Sequence, residues 1–151
     1  MNKYIKILIL VIIISLIALC VFNNMPLREN EIKVGNTIFT LPDGYAKSNV
    51  NEFGNINITN GNNSLSISAA NNNDIIKYIN EYNQSANDRN YTAIFKNFTV
   101  GDVPIYKSTL LNNSRVNHYW FVDKDKVIAI STWDAENNTD DIVLKLIESK
   151  H

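Results

Sequence analysis

The sequence predicts an α+β fold: an antiparallel sheet of about six or seven strands packed with two helices, preceded by one N-terminal membrane helix. Three observations lead there. Most apolar stretches after residue 31 alternate with a period of two, and all five glycines fall between apolar stretches, at Gly35, Gly44, Gly54, Gly61 and Gly101. Two stretches switch to the 3.6-residue period of a helix. The run from Ile7 to Phe22 is apolar at every position except Ser15.

The chain opens MNKYIK, with Lys3 and Lys6 and no acid. At 1.5 Å per residue the run from Ile7 to Phe22 gives roughly 24 Å, against a hydrocarbon core of ~30 Å; Ile5, Tyr4 and a snorkelling Lys6 bring it nearly to length. Lysines before the run place the N-terminus in the cytoplasm and the chain from Asn23 outside, so a single-pass protein of the cell membrane is expected. Cys20, the one cysteine, is open to three readings: an apolar filler in an uncleaved anchor, a lipid attachment point, or part of a cleaved signal. Signal cleavage wants small residues, yet Ile17, Leu19, Val21 and Phe22 are bulky. A lipobox wants Gly, Ala or Ser where Leu19 stands. The uncleaved anchor, residues 1–22, is the reading these residues favour.

Residues 23–31, NNMPLRENE, read as a tether, and 32–151 as one extracytoplasmic domain. With no cysteine after position 20 this domain has no disulfide and must be held by its core. About 120 residues bury roughly two-thirds of the unfolded surface, which suffices. From Glu31 onward eleven basic residues face fourteen acidic ones without a basic cluster, which excludes nucleic acid as a natural partner.

The elements follow in order. NTIFTL puts Thr37, Phe39 and Leu41 on one face and stops at Pro42-Asp43-Gly44. Ile56 and Ile58, then Leu65, Ile67 and Ala69, flank Asn60-Gly61 as a hairpin whose other face, with Asn57, Ser66 and Ser68, is wet. Ile75, Ile76, Ile79 and Tyr82 make a helix stripe over 74–86, with Asn73 or Asp74 as cap. Tyr91 to Val100, Ile105 to Asn112, Val116 to Asp123 and Val127 to Trp133 are four more strands. A closing helix has Asn138 as cap, Asp140 and Asp141 in its first turn, and a stripe of Ile142, Val143, Leu146 and Ile147. The expected order is β-β-β-α-β-β-β-β-α.

The Phe-x-x-Pro-x-Gly-aromatic pattern at Phe39, Pro42, Gly44 and Tyr45, with this element order from about Lys33 to Ile147, resembles the PsbP-like family of exported domains. Tyr45 stands where Trp is often found. The resemblance implies a membrane-tethered binding or assembly factor without catalysis, and it supplies no site residues.

Read residue by residue, the chemistry is sparse. Seven Asn-x-Ser/Thr triplets begin at Asn57, Asn62, Asn83, Asn90, Asn97, Asn112 and Asn137. Asn62, Asn112 and Asn137 lie in turns and are the candidate glycosylation sites. His118 in VNHYWFV could act on Ser131 or Ser108 as a hydrolase base; the simpler reading is a packed structural ring, since any sheet offers such pairs and the chain has no G-x-S-x-G motif, no paired-histidine helix and no cysteine nucleophile. Asp134, Glu136, Asn138 and Asp140 are spaced like calcium ligands, but the loop lacks the Gly and Glu of an EF-hand at Thr139 and Lys145. No metal and no cofactor are expected. Tyr106, Tyr119, Trp120, Phe121 and Trp133 fall on three successive strands. Alternation separates Asn117, Tyr119 and Phe121 from His118, Trp120 and Val122, so if both helices cover one face the other exposes aromatics. Tyr119, Trp120 and Asn117 are accordingly the candidate partner surface. The expected function is a non-catalytic binding or assembly module, in contact with membrane lipid and an envelope protein or polymer. The alternatives are a structural or adhesive surface glycoprotein and a hydrolase using His118.

Overall fold

The structure, a computed structural model, describes residues 3–23, 26–111, 115–133 and 139–151. An N-terminal helix α1 (Lys3–Asn23) precedes β1 (Glu31–Val34), β2 (Thr37–Thr40), β3 (Ala46–Val50), β4 (Ile56–Thr59), β5 (Ser64–Ala69), α2 (Ile75–Asp88), β6 (Thr92–Val100), β7 (Val103–Leu111), β8 (Arg115–Asp123), β9 (Lys126–Thr132) and α3 (Thr139–Glu148). β1 and β2 form a two-stranded hairpin, and the other strands make one seven-stranded antiparallel sheet in the order β3-β4-β5-β9-β8-β7-β6. The fold class is therefore α+β, with three helices and a seven-stranded sheet.

Two strands escape the expected order. β1 falls where the tether gives way to the domain; it is only four residues long, yet Ile32 and Val34 are buried. β3, AKSNV, is exposed along its whole length as an edge strand, so no alternation marks it.

The two domain helices cover opposite faces of the sheet. Val143, Leu146 and Ile147 of α3 share one cluster with Ile58, Leu65, Ile67, Ile105, Tyr119, Phe121, Ile128 and Ile130. The β1–β2 hairpin closes the same layer with Ile32, Val34 and Phe39, the last edge-on to Phe121 at 6.5 Å between ring centroids. On the other side Tyr82 of α2 sits over His118 and Trp120, the alternate residues of β8. Asp74 caps α2 by accepting a hydrogen bond from the Lys77 amide at 3.0 Å. The hairpin face expected to be wet is buried at Ser66.

The chain end ties the hairpin down. Ile38 and His151 exchange backbone hydrogen bonds of 3.1 and 3.0 Å, and the Ser149 hydroxyl donates to the Thr40 carbonyl at 3.0 Å. Asp123 accepts from Thr37 Oγ1 at 2.6 Å and from Lys150 Nζ at 2.8 Å, joining β2, β8 and the tail behind α3.

The N-terminal helix forms where expected. Its described apolar side chains are exposed all round, from 43% at Ile9 to 77% at Tyr4. Among the described residues no helix is long and apolar enough to cross a membrane. Cys20 is exposed on α1.

Candidate functional site

The polar residues of the α2 face line up across the sheet. β5 places Ser66 opposite Ser131 of β9, β9 places Ser131 opposite His118 of β8, and β8 places His118 opposite Ser108 of β7. Antiparallel register alone makes this row, because directly opposed residues share a face. His118 Nδ1 lies 2.8 Å from the Ser131 hydroxyl. The His118 ring stacks on Trp120 at 5.8 Å and meets the Tyr82 ring at 4.7 Å.

Burial among these rings pushes the His118 pKa down from 6.5 to about 4, so the imidazole is neutral at pH 7. Burial pushes the Tyr82 phenol up to about 12, with the nearby Ser108 hydroxyl offsetting part of the effect. Even so, neither the Tyr82 nor the Ser108 hydroxyl has a hydrogen-bond partner of good geometry. No described acid hydrogen-bonds to His118. A base that takes the proton of Ser131 would need a pKa near the working pH and an orienting partner on its other nitrogen. The geometry supplies a packed, neutral ring instead.

The opposite face holds a second network that docks the start of α3. Lys107 Nζ, from an inward-facing position of β7, lies 2.6 Å from Asp140 Oδ1 and 5.3 Å from the centre of the Tyr119 ring. The Tyr119 hydroxyl donates to the same carboxylate oxygen. Thr109 donates to Asn117 Oδ1 at 2.8 Å, and Asn117 Nδ2 donates to Thr139 Oγ1 at 3.3 Å. Burial raises the Asp140 pKa, but the Lys107 and Tyr119 hydrogen bonds outweigh it and hold the carboxyl below its usual value.

These two networks overturn the expected partner surface. Tyr119 is 0%, Asn117 3% and Trp120 5% exposed. Tyr119 and Asn117 are spent on the α3 contact and Trp120 on α2, because the helices sandwich the sheet and leave neither face of the β8–β9 hairpin open. Sequence reading missed Lys107 and the partnership of Asp140 with it. The one signal was that Lys107 alternates with Ile105 and Thr109, which places it on the inward face.

Of the candidate glycosylation sites, Asn62 is exposed in the β4–β5 turn, while Asn112 and Asn137 lie outside the described residues. The acidic stretch from Asp134 to Asn138 also lies outside them. Among the described residues no three metal-ligating side chains cluster. Two open clefts lie among the described residues. One of about 300 Å³ lies beside Ser68, Tyr78 and Ala129. The other, of about 500 Å³, lies between Leu41, Pro42 and Tyr45 on one side and Ile142 and Lys145 of α3 on the other. The Tyr45 hydroxyl is buried there without a partner.

No protein-family model matches the chain, and no curated protein matches it in sequence. Solved structures do. The solution structure of cyanobacterial PsbP from Synechocystis sp. PCC 6803 superposes with a TM-score of 0.52 over 85% of this chain and 95% of that one, at 11% identity. The fold is PsbP-like. A crystal structure from Bacteroides thetaiotaomicron VPI-5482 gives a TM-score of 0.56 at 12% identity over 82% of this chain. The chain spans about half of that protein, 48% of its length. Of the Phe39, Pro42, Gly44 and Tyr45 pattern, Pro42 and Tyr45 line the larger of the two clefts, while Phe39 is buried in the core.

Proposed function

We propose that this protein is a non-catalytic binding or assembly module, anchored to the cell membrane through α1 with its PsbP-like domain outside. The observation that carries the reading is the joining of a helix that is apolar on every side to a domain whose central strand β8 is covered by helices on both faces. Such a helix is not held by the domain core, and apolar surface of that extent is stable against lipid or another protein. A run of roughly 24 Å falls short of a ~30 Å hydrocarbon core, a gap that local thinning of the bilayer, with Lys3 and Lys6 reaching the interface, would close. The likeness to cyanobacterial PsbP supports the binding role through fold alone. With β8 covered on both faces, partners meet the edges and clefts of the domain.

Affinity capture of the full chain from native membranes tests this. One envelope component recovered at fixed ratio supports the reading. Hydrolysis of ester, amide or glycoside substrates that disappears in both His118→Gln and Ser131→Ala would replace it with the hydrolase. The exposure of Asn62 favours the surface-glycoprotein alternative; a glycan mass on Asn62 without any captured partner would select it.

A further inference from the structure

The sheet has two edges, and they are built differently. β3 is five residues long, carries Lys47, and breaks register by a bulge between Lys47 and Asn49. Short length, a bulge and a lysine are the devices that keep an edge from pairing. β6 is nine residues long and holds an unbroken register with β7 from Thr92↔Leu111 to Val100↔Val103. It contains no proline and no acid, its one charge is Lys96, and Ile94 and Phe95 are 54% and 42% exposed. No described residue hydrogen-bonds to its outer edge.

The turn fixes which residues face outward. Gly101 and Asp102 form a two-residue hairpin loop with Gly101 at φ +57°, so Val100 and Val103 are a hydrogen-bonded pair. Alternation then turns the backbone groups of Ile94, Lys96 and Phe98 toward β7, and those of Ala93, Phe95, Asn97 and Thr99 outward. Pro104, opposite Thr99, agrees: its missing N–H falls on the far side of β7, before the pairing with β8 begins at Tyr106.

A second β6 running antiparallel must set outward residues against outward residues. Phe95 against Asn97 brings Lys96 onto Lys96 in the close, non-hydrogen-bonded position, which like charges oppose. Centring on Asn97 sets Phe95 against Thr99. Centring on Phe95 sets the two Phe95 rings together and Lys96 against Ile94, covering both exposed apolar side chains and opposing no like charges. We propose that two copies of this chain associate through β6, antiparallel about a two-fold at Phe95, making one continuous sheet. The pairing does not depend on the membrane anchor.

The test is site-directed cross-linking of the full chain in detergent, in a Cys20→Ser background, under mild oxidation. A hydrogen-bonded pair has Cα atoms about 5.5 Å apart, within disulfide reach. Phe95→Cys should give a linked dimer. Ile94→Cys and Lys96→Cys should link when mixed and scarcely at all alone. Lys47→Cys, on the other edge, should stay unlinked. Phe95→Lys, at an exposed position, should keep the melting curve while weakening the dimer about tenfold or more, since like charges then meet at the two-fold. Monomers at all micromolar concentrations would overturn the proposal. So would equal linking through Lys47→Cys, or linking through Asn97→Cys without Phe95→Cys.

Discussion

Replacing Asp140 with Ala should destabilise the domain far more than replacing its partner Lys107 with Met. Asp140 accepts from Lys107 and from Tyr119 and lies in the first turn of α3. Its loss leaves an ammonium whose side chain is 11% exposed without its anion. Breaking a fully buried pair this way costs about 3–5 kcal/mol, but the Asp140 side chain is 49% exposed, so screening reduces the figure to about 1–2 kcal/mol. Tyr119, fully buried, loses this acceptor, at about 0.5–1 kcal/mol. The charge at the helix N-terminus adds about 0.5 kcal/mol. The total is about 2–3.5 kcal/mol. At an unfolding entropy of ~0.25 kcal/mol/K for about 120 residues, that lowers Tm by about 10 °C. Lys107→Met removes the cation together with the need for an anion, leaves Asp140 half in water, and should cost under about 1 kcal/mol. Urea and thermal melts followed by circular dichroism measure both. Because the Asp140 pKa is depressed, its contribution is complete above the ordinary carboxyl pKa and is lost as pH falls through the lower folded value. The gap between wild type and Asp140→Ala should therefore narrow in acid. Equal losses from the two substitutions, or a loss under about 1 kcal/mol for Asp140→Ala, would refute the claim that this carboxylate organises the α3 contact.

Other expectations follow from the same structure. His118 has a folded pKa of about 4 against 6.5 unfolded, so its neutral packing stabilises the domain fully above pH 6.5 and less as pH falls toward 4. His118→Gln should flatten that part of the stability–pH curve, measured by urea midpoints at stepped pH. Tyr82→Phe removes a buried hydroxyl that has no good partner and should change stability by under about 0.5 kcal/mol in chemical denaturation, or raise it. Gly35→Ala should cost about 2 kcal/mol or more in the same assay, because Gly35 sits at φ +61° and an added Cβ would lie 2.9 Å from the Ala69 Cβ.

Where the chain was legible, its side chains reported one environment. Phe39 and Leu41, or Ile128 and Ile130, alternate with partners that face elsewhere, and the 3.6-residue stripe of α3 enters the core as Val143, Leu146 and Ile147. β3 was hidden because an edge strand exposed along its length has no face to mark. β1 was hidden by its four-residue length beside a polar tether. The aromatic doubling of β8 was visible, with Tyr119 and Trp120 on opposite faces, but which faces the helices cover is a tertiary fact. That fact turned a candidate surface into two halves of a core. Lys107 was only half legible: its two-residue spacing from Ile105 and Thr109 turns it inward, but its carboxylate lies on a helix thirty-three residues away.

The anchored-module account stands or falls most directly on the state of α1 in the cell. Membranes from cells making the full chain are washed at alkaline pH, and the protein that remains is extracted for intact mass. The account predicts that the protein stays with the membrane and that its mass includes residues 3–22, with Cys20 unmodified. Release into the wash, or a chain that begins after residue 17, would contradict it.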